Sequence, residues 1–123
     1  MALVAYRDAT EPDRSAPDVA VDNYLRAYLV ERNDTRAGLY TCGGADLAEI
    51  RAFRRDIEAR ESQHAINVQI SWGSLTMETS GRRSTVSVEI RRTISDGSES
   101  DRQLWRFDAE DDDGWRVCSA RRG

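Results

Sequence analysis

At His64 the apolar residues of this chain change their period, from three-to-four residues on the N-terminal side to two on the C-terminal side. No single kind of secondary structure satisfies both halves. The order of the change therefore predicts an α+β fold, helices first and an antiparallel meander after them. With 123 residues the chain can bury one core but not two.

On the helical side, Val21, Tyr24, Leu25, Tyr28 and Leu29 recur at i, i+3, i+4, i+7 and i+8 behind Asp18, which can cap a helix reaching about Arg32. Asn33-Asp34-Thr35 breaks it, a short helical piece carries Ala37 to Tyr40, and Cys42-Gly43-Gly44 ends the local structure. Asp46 with Glu49 three residues later reads as a capping box. Leu47, Ile50, Phe53 and Ile57 then form the buried stripe of a helix ending near Ser62.

Beyond His64, Ile66, Val68, Ile70 and Trp72 face one way, and past Gly73 the apolar phase slips by one residue to Leu75 and Met77, as at a β-bulge. Ser80-Gly81-Arg82-Arg83 turns the chain into a second strand carrying Val86, Val88, Ile90 and Ile94. After Asp96-Gly97-Ser98-Glu99-Ser100 comes a third strand, Leu104 to Phe107, and after Asp111-Asp112-Asp113-Gly114 a fourth, Trp115 to Ser119. The expected architecture is a set of N-terminal helices on a curved four-stranded antiparallel sheet.

All 18 basic residues are arginine, as in proteins of GC-rich bacterial genomes, and they stand against 22 acidic residues for a net charge of -4. Phosphate neutralisation needs a concentrated basic surface, so nucleic acid is not an expected partner. Four doublets, Arg54-Arg55, Arg82-Arg83, Arg91-Arg92 and Arg121-Arg122, decorate a solvated face or else assemble an anion-binding patch in three dimensions. No run reaches the roughly 18 apolar residues of a membrane span. Ala2-Leu3-Val4-Ala5-Tyr6 followed by a charged, Pro-punctuated stretch to Pro17 fits either the outer end of a transmembrane helix or a native start with a frayed tail. Residues 1–17 are accordingly read as a linker or membrane-proximal tail and 18–123 as the domain.

Several short motifs resemble the nuclear transport factor 2-like (cystatin-like) superfamily. Tyr24-Leu25-Arg26-Ala27-Tyr28 followed by Asn33-Asp34 and Leu39 is similar to its opening pattern, and Asp112-Asp113-Gly114-Trp115-Arg116-Val117 to its last hairpin. The resemblance implies a sheet curled into a half-cone that the helices close. Thr41-Cys42 and Val117-Cys118 resemble the extracytoplasmic branch found in actinobacterial membrane-anchored proteins, which implies a Cys42–Cys118 disulfide and a membrane-tethered location upstream of Ala2. In a reducing cytosol the same pair would be two thiols. As a redox or metal pair it lacks C-x-x-C spacing and sufficient histidines.

Enzymes of this superfamily place an Asp or His base inside the cone, where the strands of this chain offer Val, Ile, Leu and Trp. His64, the sole histidine, reads as an exposed helix end rather than a base. Asp111-Asp112-Asp113-Gly114 lacks the alternating oxygen ligands of a calcium loop and reads as a turn. Asn33-Asp34-Thr35 matches a glycosylation sequon without a bacterial use for it. No catalytic residue, metal or cofactor is expected. Tyr24, Tyr28, Trp72, Met77, Trp105 and Trp115 either fill the core or line a pocket for an apolar small molecule. Two functions follow: a non-enzymatic extracytoplasmic domain that binds a partner protein or a second copy through its open sheet face, or a small-molecule binder or isomerase/lyase-like enzyme using the cone.

Overall fold

A computed structural model describes residues 12–123; the apolar stub at residues 2–6 lies outside them. Helix α1 spans Pro17–Leu25, with Ala16 as its N-cap and Pro17 at its first position. Asp18 therefore sits inside the first turn instead of capping it, where a proline with no N–H to satisfy is a better opening residue. The helix runs on as a π-helical turn, Arg26–Val30, closed by a bond from the Glu31 N–H to the Arg26 carbonyl. That turn shifts the helical phase: Ala27 is fully buried and Tyr28 only half-buried, its ring stacked on Tyr24.

The Asn33 side chain caps the short helix α2, Asp34–Gly38, by accepting from the Arg36 N–H at 3.0 Å. Thr41–Asp46 forms strand β1, followed by the long helix α3, Ala48–His64. Leu47 is the N-cap of α3 and makes no side-chain bond, so the expected capping box is absent. Glu49 instead accepts from the Arg122 N–H at 2.7 Å and ties the helix start to the end of the chain. Ala65, in the left-handed region at φ 52°, closes α3.

The remaining strands are β2 (Val68–Trp72), β3 (Thr76–Ser80), β4 (Arg83–Ile94), β5 (Ser100–Asp111) and β6 (Trp115–Arg122). They form a curved sheet in the order β1-β6-β5-β4-β2, with β3 also paired to β4. The fold class is the one the sequence predicts, but there are six strands instead of four. One difference is the bent first strand, which the structure divides in two. Trp72 pairs with Ile90 and Thr76 with Ser87, so residues 73–75 stand opposite only residues 88 and 89, the one-residue excess of a bulge at Gly73. The other is β1, which pairs in parallel with β6.

Ile50, Phe53 and Ile57 of α3 and Val21, Tyr24 and Leu25 of α1 bury against Val86, Val88 and Ile90 of β4 and Trp105 and Phe107 of β5. Each large side chain removed from water contributes about 2 kcal/mol, which makes this layer the chief source of stability. Trp115 forms a smaller cluster with Ala20 and Ala109. Gly114, at φ 101°, leads into it beneath Arg14, whose Cβ would stand 2.9 Å from any added Cβ. Only glycine meets both conditions.

Past the π-turn, Arg32 adopts φ 55° and donates to Glu61 near the end of α3 at 2.6 Å, while Glu61 also accepts from the Val68 N–H that opens β2. The Arg32 guanidinium holds the Glu61 carboxyl below its ordinary value of 4.5. A depressed folded pKa means that this contribution is complete above about pH 4.5 and fades as pH falls through the lower folded value. Glu61→Gln is expected to lower stability at neutral pH and to flatten the stability–pH curve on the acid side of pH 4.5, as read by urea unfolding at a series of pH values.

Candidate functional site

The helix-covered side of the curved sheet is occupied by aromatic rings. Phe53 meets Trp105 edge-on at 5.2 Å between ring centroids, Trp105 meets Phe107 at 6.4 Å, and Phe107 meets Tyr24 at 6.4 Å. Trp105 is 0% exposed and Tyr24 1%. The Trp105 indole N–H and the Tyr24 hydroxyl have no hydrogen-bond partner among the described residues. Burial drives the Tyr24 hydroxyl pKa well above its ordinary value, so it stays protonated.

The six residues singled out from the sequence do not gather around one cavity. Trp105 is core, and Trp115 belongs to the separate cluster with Ala20 and Ala109. Trp72 packs at the edge of the core and donates its indole N–H to Asp22 on α1 at 2.8 Å. Met77, on the short strand β3 that pairs only with β4, is 46% exposed. Among the described residues, Tyr24 and Tyr28 share a concave surface, and it lies among the helices.

That surface is a cleft of about 400 Å³ lined by Tyr24 and Tyr28 of α1 and its π-turn, Asp34, Ala37 and Gly38 of α2, Thr41 and Leu47, and Arg51, Arg54, Arg55 and Glu58 of α3. Arg54 lies over the Tyr28 ring at 4.6 Å and bonds Asp34 at 2.5 Å, with Glu58 at 3.6 Å. Among the described residues, Arg51 and Arg55 have no acidic partner within ion-pair distance, so of the doublet Arg54-Arg55 one member is structural and the other free. Of the cleft arginines the sequence singles out the doublet Arg54-Arg55, one of four candidates for an anion-binding patch, but not Arg51, because a charged flank beside an apolar stripe looks like any solvated helix face. The i, i+4 spacing of Arg51 and Arg55 was the available signal.

The other side of the sheet is open. On it Arg91 stands directly opposite Arg102, and Arg106 opposite Arg121. Glu89 pairs with Arg102 at 3.7 Å and Asp108 with Arg121, which holds the Asp108 carboxyl below its ordinary range against the raising effect of burial. Like charges directly across a ladder cost stability, so the fold alone does not call for this pattern.

Cys42 of β1 and Cys118 of β6 are joined in a disulfide with Cα atoms 4.8 Å apart. Because Cys42 lies on a strand, the bond links neighbouring strands at the sheet edge; it does not bind the helical layer to the last strand. Cys118 is an extra residue in the irregular register between β5 and β6. Glu110 lies against the bridge, and the three residues make the one metal-like grouping among the described residues, with both sulfurs engaged in the disulfide. A joined pair accords with an oxidising compartment, and no helix among the described residues is long and apolar enough to cross a membrane. His64 is the exposed last residue of α3. Asp111–Gly114 is a turn in which the Gly114 N–H bonds the Asp111 carboxylate.

No family model matches the chain, and no curated protein matches it. Solved structures do. The structure of Bdellovibrio bacteriovorus Bd1075 aligns with TM-score 0.60 and 8% identity over 84% of this chain and 38% of that one, so this chain spans well under half of Bd1075. A structure of Rv3472, a function unknown protein from Mycobacterium tuberculosis, aligns with TM-score 0.54 and 12% identity over 85% of this chain and 69% of that one. At such identities the likeness is one of fold.

Two outcomes follow from this geometry. Tyr24→Phe removes a buried donor that has no partner and is expected to raise stability by about 1 kcal/mol in denaturant unfolding of the oxidised protein. Cys42→Ser with Cys118→Ser opens a loop of 76 residues in sequence separation and is expected to lower stability by as much as about 4 to 5 kcal/mol in the same assay.

Proposed function

We propose that this is a non-enzymatic domain of nuclear transport factor 2-like architecture, held at the outer side of a bacterial membrane, that engages a partner protein or a second copy of itself through the open face of its sheet. The observation that carries this reading is the filled half-cone. Phe53, Trp105, Phe107 and Tyr24 occupy the position where a substrate would sit. Besides aromatic groups, the buried polar side chain among the described residues is Ser84. Acid–base chemistry needs a titratable group beside the reacting atom, and this layer favours packing over chemistry.

The disulfide supports the compartment, since such bonds persist outside the reducing cytosol. The open face supports the mode of action. Its arginines suit interfaces, because guanidinium groups make planar, multiply hydrogen-bonded contacts and give up hydration readily. The net charge of -4 argues against nucleic acid.

A photo-crosslinking residue at Ser87 or Glu89, on the open face, is expected to trap one discrete protein in living cells, either a partner or the domain itself. The same residue at Ala52 on the exposed side of α3 is not expected to trap it. The charge reversals Arg102→Glu and Arg106→Glu should weaken the purified association about tenfold or more. Equal trapping from both surfaces, or an adduct that survives the reversals undiminished, would sink the reading. Finding Cys42 and Cys118 reduced in cells, by thiol-alkylation gel shift, would remove its compartment.

A further inference from the structure

We infer that the helical cleft is a binding site for a small organic carboxylate, anchored by Arg51 and Arg55 and completed by the Tyr24 hydroxyl. This is independent of the open sheet face, because the cleft lies between α1, α2 and α3. Its volume of about 400 Å³ is within the range of small-ligand sites.

Three features set the ligand chemistry. The first is charge. Arg51 and Arg55 are four apart on one helix and both exposed, and among the described residues neither has an acidic partner, although Asp34 and Glu58 line the same cleft and pair with Arg54. Two like charges at this spacing repel slightly, and an anion placed between them reverses the sign of that interaction. A guanidinium presents parallel N–H groups that match the two oxygens of a carboxylate.

The second is the Tyr24 hydroxyl. It is a buried donor without a partner, and the charged groups whose fields reach it, Arg51, Arg54 and Asp34, all line the cleft. A donor held protonated next to a site for anions is suited to a carboxylate oxygen and offers nothing to a cation. The third is the apolar part of the lining, Ala37 and Leu47, with Gly38 at the end of α2. It gives room for a compact hydrocarbon or aromatic body and little reward to a bare inorganic ion. The Tyr24–Tyr28–Arg54–Asp34 stack joins α1 and α2 to α3 along the site.

The test titrates the oxidised protein with benzoate, benzamide and inorganic phosphate, followed by backbone amide NMR shifts. Benzoate is expected to saturate with a dissociation constant of about 1 mM or tighter, with shifts centred on Tyr24, Tyr28, Ala37 and Arg51. Benzamide and phosphate should each bind about tenfold more weakly or worse. The exposed-site variant Arg51→Gln with Arg55→Gln should lose about tenfold in benzoate affinity with unfolding unchanged. Tyr24→Phe should lose affinity severalfold while the fold becomes no less stable, a combination that a merely structural tyrosine does not produce. Absence of saturation, phosphate or benzamide binding as well as benzoate, or affinity untouched by the double arginine variant overturns the assignment.

Discussion

The continuous run of aromatic contacts from α3 through β5 to α1 holds the two layers of this domain together. Phe53 rests on Trp105, Trp105 beside Phe107, and Phe107 against Tyr24, which stacks on Tyr28 at 5.4 Å. A sheet curved around empty space would lose the dispersion contacts that make burial worthwhile. Here the concavity is matched by rings large enough to fill it. The helices are then fixed in position, and with them the cleft between α1, α2 and α3.

Arginine closes this aromatic run at its margins. Arg92 lies over Phe53 at 4.9 Å, Arg54 over Tyr28 at 4.6 Å and Arg122 over Trp105 at 5.6 Å. Arg92 also binds Asp101 on β5 and Asp56 on α3, joining sheet to helix. Partly exposed ion pairs of this kind contribute at most about 1 kcal/mol each, well below the apolar layer they border, so their effect is chiefly on orientation. A lysine would lack both the planar face for the ring and the fork for two carboxylates. A basic complement made wholly of arginine is thus used structurally here.

The sequence disclosed those parts of the fold in which one face of an element is apolar. Val86, Val88 and Ile90 alternate without interruption, and Ile50, Phe53 and Ile57 keep a helical period, so β4 and α3 were legible to within a few residues. Strand β1 was not, because Thr41-Cys42-Gly43-Gly44-Ala45-Asp46 has no alternation and two glycines, and its existence depends on β6 beside it. Strand β5 runs from Ser100, though its first residues, Ser100, Asp101, Arg102 and Gln103, are polar on both faces and are ordered by pairing with β4. The helix starts were also misplaced. Asp18 and Asp46 are good local caps, but Pro17 opens α1 ahead of Asp18 and Leu47 stands between Asp46 and α3. Of the candidate pocket, the tyrosines and the doublet Arg54-Arg55 were legible separately, but not their meeting, since the arginines join the tyrosines only when three helices are docked.

The disulfide divides the molecule in a way that the packing does not. From Cys42 to Cys118 the chain is a covalent ring that contains α3 and β2 to β5, whereas α1 and α2 precede it. Cross-linking restricts the disordered conformations of the ring and leaves those of the preceding helices untouched. Helix α1 is therefore secured by non-covalent contacts alone, burial chief among them, and its departure would expose Phe107 and the covered face of the sheet while the ring stayed closed. In the language of partial unfolding, α1 with α2 is the segment free to open first. One wall of the helical cleft belongs to that segment and the opposite wall, α3, to the locked ring, so anything bridging the two walls acts as a clasp between the part of the molecule that is covalently confined and the part that is not.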